Sequence, residues 1–294
     1  MLLIRDNIEL LKEISKIRNL KRKINFIPTM GNLHNGHLNL IRKAKKQTNI
    51  TLVSIFVNPL QFNNRIDYKT YPRTLEDDKK ILINEGIDIL FVPADNFISK
   101  KSDLLDLGVI SKKLCGKDRP GHFEGVARVI FRFLSLIKPD NIFLGEKDFQ
   151  QILVIKKVIK KFKCDTRIKV IQTIRDVNKI ALSSRNNLLK ENFKQAIIIP
   201  RVLFKVKKLI ESGSCSLSEI DKIKSNIKEE CNVYLKYLEV LKESNLDSLN
   251  NVYSRCRIFI CVSISEIRLI DNLSLNGKYR LSKIGVIERK KEVD

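Results

Sequence analysis

The sequence predicts an α/β protein: a doubly wound parallel sheet over residues 1–182, then a smaller α+β domain with an antiparallel sheet over 183–294. Three observations carry that prediction. Short apolar runs alternate with amphipathic stretches through the first half, the order that builds parallel βα units. Those runs are almost continuously hydrophobic, as strands covered on both faces must be. Near residue 185 the texture changes to helical stretches followed by strand-like runs on short connections, the pattern of an α+β unit.

Taken in order, strands are expected over 24–29, 50–57, 87–92, 141–144 and 167–172, with helices over 37–47, 75–85, 124–137 and 149–162. The 124–137 helix has the plainest pattern, with Val126, Ile130, Phe133, Leu134 and Ile137 recurring at helical spacing. Past the boundary, helices are expected over 192–210 and 217–231, parted by the breaker ESGS at 211–214. Strands follow over 233–241, 257–264 and 267–271. In a doubly wound sheet, ligands bind at the carboxyl ends of the strands where strand order reverses. The turns after the first-half strands are therefore where chemistry is expected.

Composition narrows the function classes. A chain of 294 residues with 43% hydrophobic and 30% charged residues can bury a real core and is not disordered. No run approaches the roughly 20 apolar residues of a membrane span. The N-terminus MLLIRDNIELLKEISKIRN carries charge from Arg5 onward and lacks a small-residue cleavage site, so a cytoplasmic protein with no membrane partner is expected. Cys115, Cys164, Cys215, Cys231, Cys256 and Cys261 form no CxxC pair, which fits small buried thiols rather than zinc or a disulfide framework. The net charge of +23 would suit nucleic acid. Its lysines are spread along the chain without an arm or block, and lysine, isoleucine and asparagine are abundant together, as an AT-rich genome would make them. No nucleic-acid partner is expected.

The densest signal is FIPTMGNLHNGH at 26–37. A strand ends at Pro28 and Thr29, Gly31 turns the chain, and His37 begins a helix. Gly36 lets a ligand approach the backbone. A helix N-terminus offers unpaired N–H groups and the positive end of a dipole to phosphate. His34 and His37, three residues apart at that entrance, can donate to phosphate oxygens as charge develops in a displacement at an α-phosphorus. Only His122 remains elsewhere, and no third ligand lies nearby in sequence, so zinc does not fit. The tetrad has the form H-x-G-H, which Rossmann-like nucleotidyltransferases such as class I aminoacyl-tRNA synthetases use to hold ATP. Alone it does not choose among the members of that group. A second basic element is expected near the end of the nucleotide domain, and LSSR at 182–185 stands there. Two hydroxyls and a guanidinium suit the β- and γ-phosphates.

Further segments narrow the choice: VSIFVNPLQF at 53–62, YPRTLEDD at 71–78, GHFEGVA at 121–127 and KPDNIFLGEKDFQQ at 138–151. With the first motif, and in this order, they closely resemble the pantothenate synthetase family from about residue 25 to 187, with weaker agreement beyond. The resemblance implies ATP-driven condensation of pantoate with β-alanine through a pantoyl adenylate, with Mg2+ accompanying the nucleotide and a homodimeric assembly. Residue by residue, it implies an ATP site lined by Met30, Gly31, Asn32, Leu33, His34, Asn35, Gly36 and His37. His37 would stabilise the adenylyl-transfer transition state and His34 would assist. Gly145, Glu146, Lys147 and Asp148 would bind nucleotide, with Lys147 on the phosphates and Asp148 on the ribose. Ile174, Leu182, Ser183, Ser184 and Arg185 would close over the ATP, and the catalytic set would be His37, His34, Lys147 and Arg185. Gln61 and Gln151 would hold pantoate, with Asn58 supporting Gln61, and Gln61 would also meet β-alanine. Arg119 and His122 would lie on a flexible wall. Asp77 and Asp78 stand between two readings: outer partners of Mg2+, or a solvated first helical turn that complements the dipole.

The chain departs from the family pattern in three places. Leu182 replaces a methionine, a change that keeps volume. DVNKI at 176–180 lacks the usual Asp-Gly turn, which leaves the course of the phosphate loop open. Asn63-Asn64-Arg65 replaces a glycine-bearing sequence after Gln61 and Phe62, and leaves that loop open too.

Overall fold

The structure, a computed structural model, describes residues 1–47, 49–98, 106–213, 215–230 and 232–290. Ser214 and Cys231, expected in the breaker and at a helix end, lie outside the described residues. The chain divides into two units, Met1–Ile174 and Arg175–Asp294.

The first unit runs β1 (Leu2–Ile4), α1 (Asn7–Asn19), β2 (Ile24–Thr29), α2 (Asn35–Lys45), β3 (Ile50–Ile55), α3 (Arg65–Thr70), α4 (Leu75–Asn84), β4 (Ile89–Phe91), α5 (Leu114–Asp118), α6 (His122–Ile137), β5 (Asn141–Gly145), α7 (Phe149–Lys161) and β6 (Arg167–Ile171). Its six strands lie in the order β1-β4-β3-β2-β5-β6 and every pairing is parallel. The chain leaves β2 toward β3 and β4 on one side and returns to β5 and β6 on the other. Strand order therefore reverses between β2 and β5, the position at which doubly wound sheets bind ligands.

Burial explains the continuous apolar runs. Every residue of β3 is buried, and in β2 only Pro28 is partly exposed. Two-sided burial leaves Asn25 without water, and the fold satisfies it internally: its Nδ2 donates to Ala44 O at 2.8 Å, and its Oδ1 accepts from Asn141 Nδ2 at 2.8 Å. These bonds lock β2, α2 and β5 together below the switch point. Helix α6 presents Phe123, Val126, Ile130, Phe133 and Ile137 to the core, with Phe133 packed on Phe26 of β2 at 5.2 Å between ring centroids.

Element ends differ from expectation by a few residues, and four elements of this unit carry no expectation at all: β1, α1 and the short helices α3 and α5. Strand β1 has only three residues, too short for any periodicity to register. Helix α1 does carry legible signals: Asp6 caps it through the amides of Ile8 and Glu9, and Leu10, Ile14 and Ile17 form its buried face.

After the segment 175–189, the second unit runs through a 3₁₀ stretch (Lys190–Ile197), α8 (Ile198–Glu211), α9 (Leu217–Lys228), β7 (Val233–Lys242), β8 (Cys256–Ile264), β9 (Ile267–Ser274), β10 (Tyr279–Leu281) and β11 (Ile287–Arg289). The single helix expected over 192–210 is thus a 3₁₀ stretch that passes into an α-helix. Pro200 explains the break, because proline has no N–H and clashes with the preceding turn, so it is tolerated only in a first turn. Strands β7, β8 and β9 form an antiparallel sheet, with β10 and β11 pairing as a separate hairpin. The β8–β9 hairpin closes through Ser265 and Glu266, both with positive φ (46° and 68°), as a two-residue type I′ turn requires. Cys256 and Cys261 lie on β8 as buried free thiols, with Cys215 likewise buried. Among the described residues no helix is long and apolar enough to cross a membrane.

Candidate active site

The turn from β2 into α2 is built around a buried carboxylate that no local sequence pattern announces. Gly31 (φ 78°) and Asn32 (φ 50°) both take left-handed backbone, which points successive amides the same way. Asp78, on the first turn of α4 and 2% exposed, accepts from Asn32 N at 2.9 Å and Leu33 N at 2.8 Å. Thr74 Oγ1 adds a third donor at 3.2 Å. A Cβ on Gly31 would stand 2.9 Å from Asp78 Oδ2, so glycine is needed here for space as well as for φ. Asp77 points elsewhere: it is 74% exposed and pairs with Lys80 at 3.4 Å. The structure thus gives Asp78 a loop-holding task, and among the described residues no group of three His, Cys, Asp or Glu side chains could hold a metal.

The two histidines cap α2, which starts at Asn35, two residues before the expected start. His34 is the N-cap, and its Nδ1 accepts from Gly36 N at 3.1 Å. His37 reaches back, and its Nδ1 accepts from His34 N at 3.3 Å. Their rings lie 4.1 Å apart between centroids. Structural and chemical roles coincide here. With each Nδ1 occupied as an acceptor, the neutral ring carries its proton on Nε2, so capping fixes the tautomer and aims two N–H donors away from the helix. Loss of water contact, then the Lys147 ammonium, lowers His34 to about 4. Loss of water contact, then His34, then Lys147, lowers His37 to about 3. Both rings are neutral donors at pH 7.

Lys147 and Asp148 arrive from the other side of the switch point, in the turn that joins β5 to α7. Lys147 lies close enough to act on both imidazoles, and its Nζ stands 3.7 Å from Asp148 Oδ1. Asp148 occupies the N-cap position of α7 without a capping bond from its side chain. A Cβ on Gly145 would meet nothing within 4 Å, so the backbone there faces open space. The structure therefore gathers Met30, Gly31, Asn32, Leu33, His34, Asn35, Gly36 and His37 with Gly145, Glu146, Lys147 and Asp148 at the carboxyl ends of β2 and β5. Ile174 follows β6, half-buried.

Gln61 is held by several hands. It is 9% exposed in a 3₁₀ turn after β3. Asn58, 1% exposed, donates from Nδ2 to Gln61 Oε1 at 3.1 Å and to Gly125 O at 3.0 Å. Gln61 Nε2 donates to Met30 Sδ at 2.9 Å, which ties the amide to the histidine turn. A Cβ on Gly125 would lie 2.3 Å from Leu60 O, so α6 packs directly on this backbone. The Asn63-Asn64 departure has a defined course: Asn63 Nδ2 donates to Pro120 O, and Asn64 caps α3 through Ile66 N at 2.7 Å. Gln151 is half-buried on the first turn of α7. Its neighbour Gln150, which the sequence does not single out, is buried and structural, bonded to Cys115 N, Ile110 O and Lys113 O.

In the second unit, residues 175–181 form a hairpin closed by the Arg175–Ala181 bridge. Lys179 takes φ 65° where a glycine would be easier, so the missing Asp-Gly turn is replaced by a left-handed lysine. Arg175 anchors the hairpin on buried Asp271 with two bonds of 2.5 and 3.0 Å. Leu182, Ser183, Ser184 and Arg185 follow, half-buried, with Ser183 Oγ accepting from Arg185 N at 3.3 Å.

Comparison with known proteins agrees with this fold. The pantoate–β-alanine ligase family profile matches residues 3–274. A pantothenate synthetase of Caldicellulosiruptor bescii is 36% identical, covering 92% of this chain and 98% of its own. One from Francisella tularensis subsp. mediasiatica is 40% identical over 92% of this chain and 97% of its own. Among solved structures, a pantothenate synthetase from Thermus thermophilus superposes with a TM-score of 0.86 at 31% identity, covering 93% of this chain and 99% of that one. The Francisella tularensis pantoate–β-alanine ligase, complexed with beta-gamma ATP and β-alanine, gives 0.71 at 37% identity, covering 93% and 97%. The chain belongs to the pantoate–β-alanine ligase family, the pantothenate synthetases.

Proposed function

We propose that this chain condenses (R)-pantoate with β-alanine at the expense of ATP, giving pantothenate, AMP and pyrophosphate. In the first half-reaction a pantoate carboxylate oxygen bonds to the α-phosphorus, and the bond from that phosphorus to the bridging oxygen of pyrophosphate breaks. In the second, the free amine of β-alanine attacks the activated carbonyl, AMP leaves with the carbonyl–oxygen bond pair, and the amine gives up a proton. Activation is needed because a carboxylate is a poor acyl electrophile. The enzyme's part is positioning and electrostatic stabilisation, with no covalent nucleophile.

The observation that carries this reading is the pair of neutral Nε2–H donors of His34 and His37, fixed beside Lys147 where strand order reverses. Neutral donors suit a step in which charge builds on phosphate oxygens, because they stabilise it without attracting the anionic carboxylate into an unproductive ion pair. The buried amide of Gln61, backed by Asn58, suits the pantoate hydroxyls and carboxylate for the same reason, with Gln151 as its partner. Lys147 is assigned to the phosphates and Asp148 to the ribose. Ser183, Ser184 and Arg185 are assigned to the outer phosphates, and the second unit to the role of a lid. The ligands of the Francisella relative support the choice of ATP and β-alanine. Mg2+ would arrive as part of the Mg·ATP substrate, held chiefly by phosphates and water, as Mg2+ commonly is. That fits a site whose nearest buried carboxylate, Asp78, already accepts three hydrogen bonds. The homodimer is proposed from the family resemblance, and the cytoplasmic location from the sequence together with that resemblance.

The test is AMP release from ATP, measured with pantoate and β-alanine added singly and together. Steady release is expected only with both. A cytidylyltransferase-like activity on the same fold would proceed without β-alanine.

A further inference from the structure

The turn between α5 and α6 grips the backbone of Gln61 more closely than a mobile wall would. Gln61 O accepts two hydrogen bonds, from Arg119 Nη2 at 2.9 Å and from His122 Nδ1 at 2.8 Å. A carbonyl has two lone pairs, so both are occupied and the peptide plane is fixed. The carbonyl can only accept and the guanidinium can only donate, which sets the tautomer of His122. Nδ1 carries the proton, and Nε2 faces Arg119 Nη1 at 3.4 Å as an acceptor. His122 is 8% exposed and begins α6 immediately after Gly121, whose φ of 84° turns the chain so that the imidazole faces Gln61. On either side, Asn63 holds Pro120 and Gly125 O holds Asn58, so the 119–125 segment contacts the 58–63 turn at both ends and in the middle.

We propose that His122 and Arg119 are positioning residues that aim the Gln61 amide at pantoate through its main-chain carbonyl. The proposal rests on the assignment of Gln61 to pantoate. Fixing the peptide leaves the side chain to be set by Asn58 on its oxygen and Met30 on its nitrogen, so the amide keeps one orientation before substrate arrives. A site that is already ordered loses less freedom on binding.

Steady-state kinetics of H122A, H122N, R119A and Q61A, with a thermal melt of each variant, test this. Asparagine places an amide nitrogen where the imidazole Nδ1 stands, so H122N keeps the donor. H122A is expected to raise the pantoate KM about tenfold, the weight of roughly one buried hydrogen bond, while the ATP KM stays within about twofold. H122N should restore most of the loss, R119A should act in the same direction, and H122A should add little in the Q61A background. Equal effects on both substrates, or failure of H122N to restore pantoate binding, would overturn the proposal. If Q61A weakens pantoate binding and H122A and R119A do not, the positioning role alone is overturned. If Q61A leaves the pantoate KM unchanged, the Gln61 assignment has failed and the positioning role falls with it.

Discussion

The carboxylate of Asp78 accepts the amide of Leu33 at 2.8 Å across 45 residues of sequence, and this bond shapes the approach to the histidine pair. Asp78 also holds Asn32 N and Thr74 Oγ1, so it works like an anion seated in a nest of amides. D78N would turn an NH2 group toward one of those amides and leave a buried donor unmatched. Such a loss costs about 2–3 kcal/mol where the acceptor is charged. A lower melting temperature and a raised ATP KM are expected together, and a variant with an unchanged melt would contradict the clamp.

His37 is expected to lower the barrier to adenylate formation through its Nε2–H. H37A should slow pyrophosphate release by about 10²–10³-fold, the usual effect of removing one such donor. H37Q, whose amide nitrogen can stand near the position of Nε2, should retain more of the rate. Near-normal pyrophosphate release by H37A would count against the role.

The same two imidazoles predict the pH dependence of stability. Folded His34 and His37 sit at about 4 and about 3, below the ordinary 6.5. Between those values and 6.5 the unfolded chain binds more protons, so their contribution to stability rises with pH through that window and is flat above it. Urea midpoints measured from pH 4.5 to 8 should show a steeper acid limb for the wild type than for the variant carrying H34N and H37Q. Parallel curves would show that neither ring is held neutral.

Gly125 gives a test of packing at the pantoate side. Its Cβ would lie 2.3 Å from Leu60 O and 2.7 Å from Gln61 N. G125A must push α6 away from the turn, with a cost of about 1–3 kcal/mol typical of overpacking. The pantoate KM should rise while the ATP KM changes little; the reverse pattern would place Gln61 in the wrong subsite.

How much of the fold and site is legible in the sequence follows from the range of the interactions. Strand β2, the Gly31 turn and His34 to His37 are readable because strand, turn and cap occupy consecutive residues. The start of α2 lies two residues before its expected place because the cap is an imidazole, an uncommon capping group, and a histidine reads first as a ligand to something else. Asp78 reads as a metal partner or a solvated helix turn, since nothing local shows that Asn32 and Leu33, 46 and 45 residues away, present their amides to it. The distinction between Gln150 and Gln151 depends on the phase of α7, which buries Gln150 against the 110–115 segment and leaves Gln151 at the open end. Pro200 is a sequence signal for the break in the 192–210 helix, and the short β10–β11 hairpin offers no comparable one.

The central claim is that a pantoyl adenylate forms before β-alanine takes part. ATP–pyrophosphate exchange measures that step directly, as label passing from pyrophosphate into ATP with β-alanine omitted. Exchange that requires pantoate and falls sharply in H37A is the predicted result. Exchange that proceeds without pantoate, or that appears only once β-alanine is added, would contradict it.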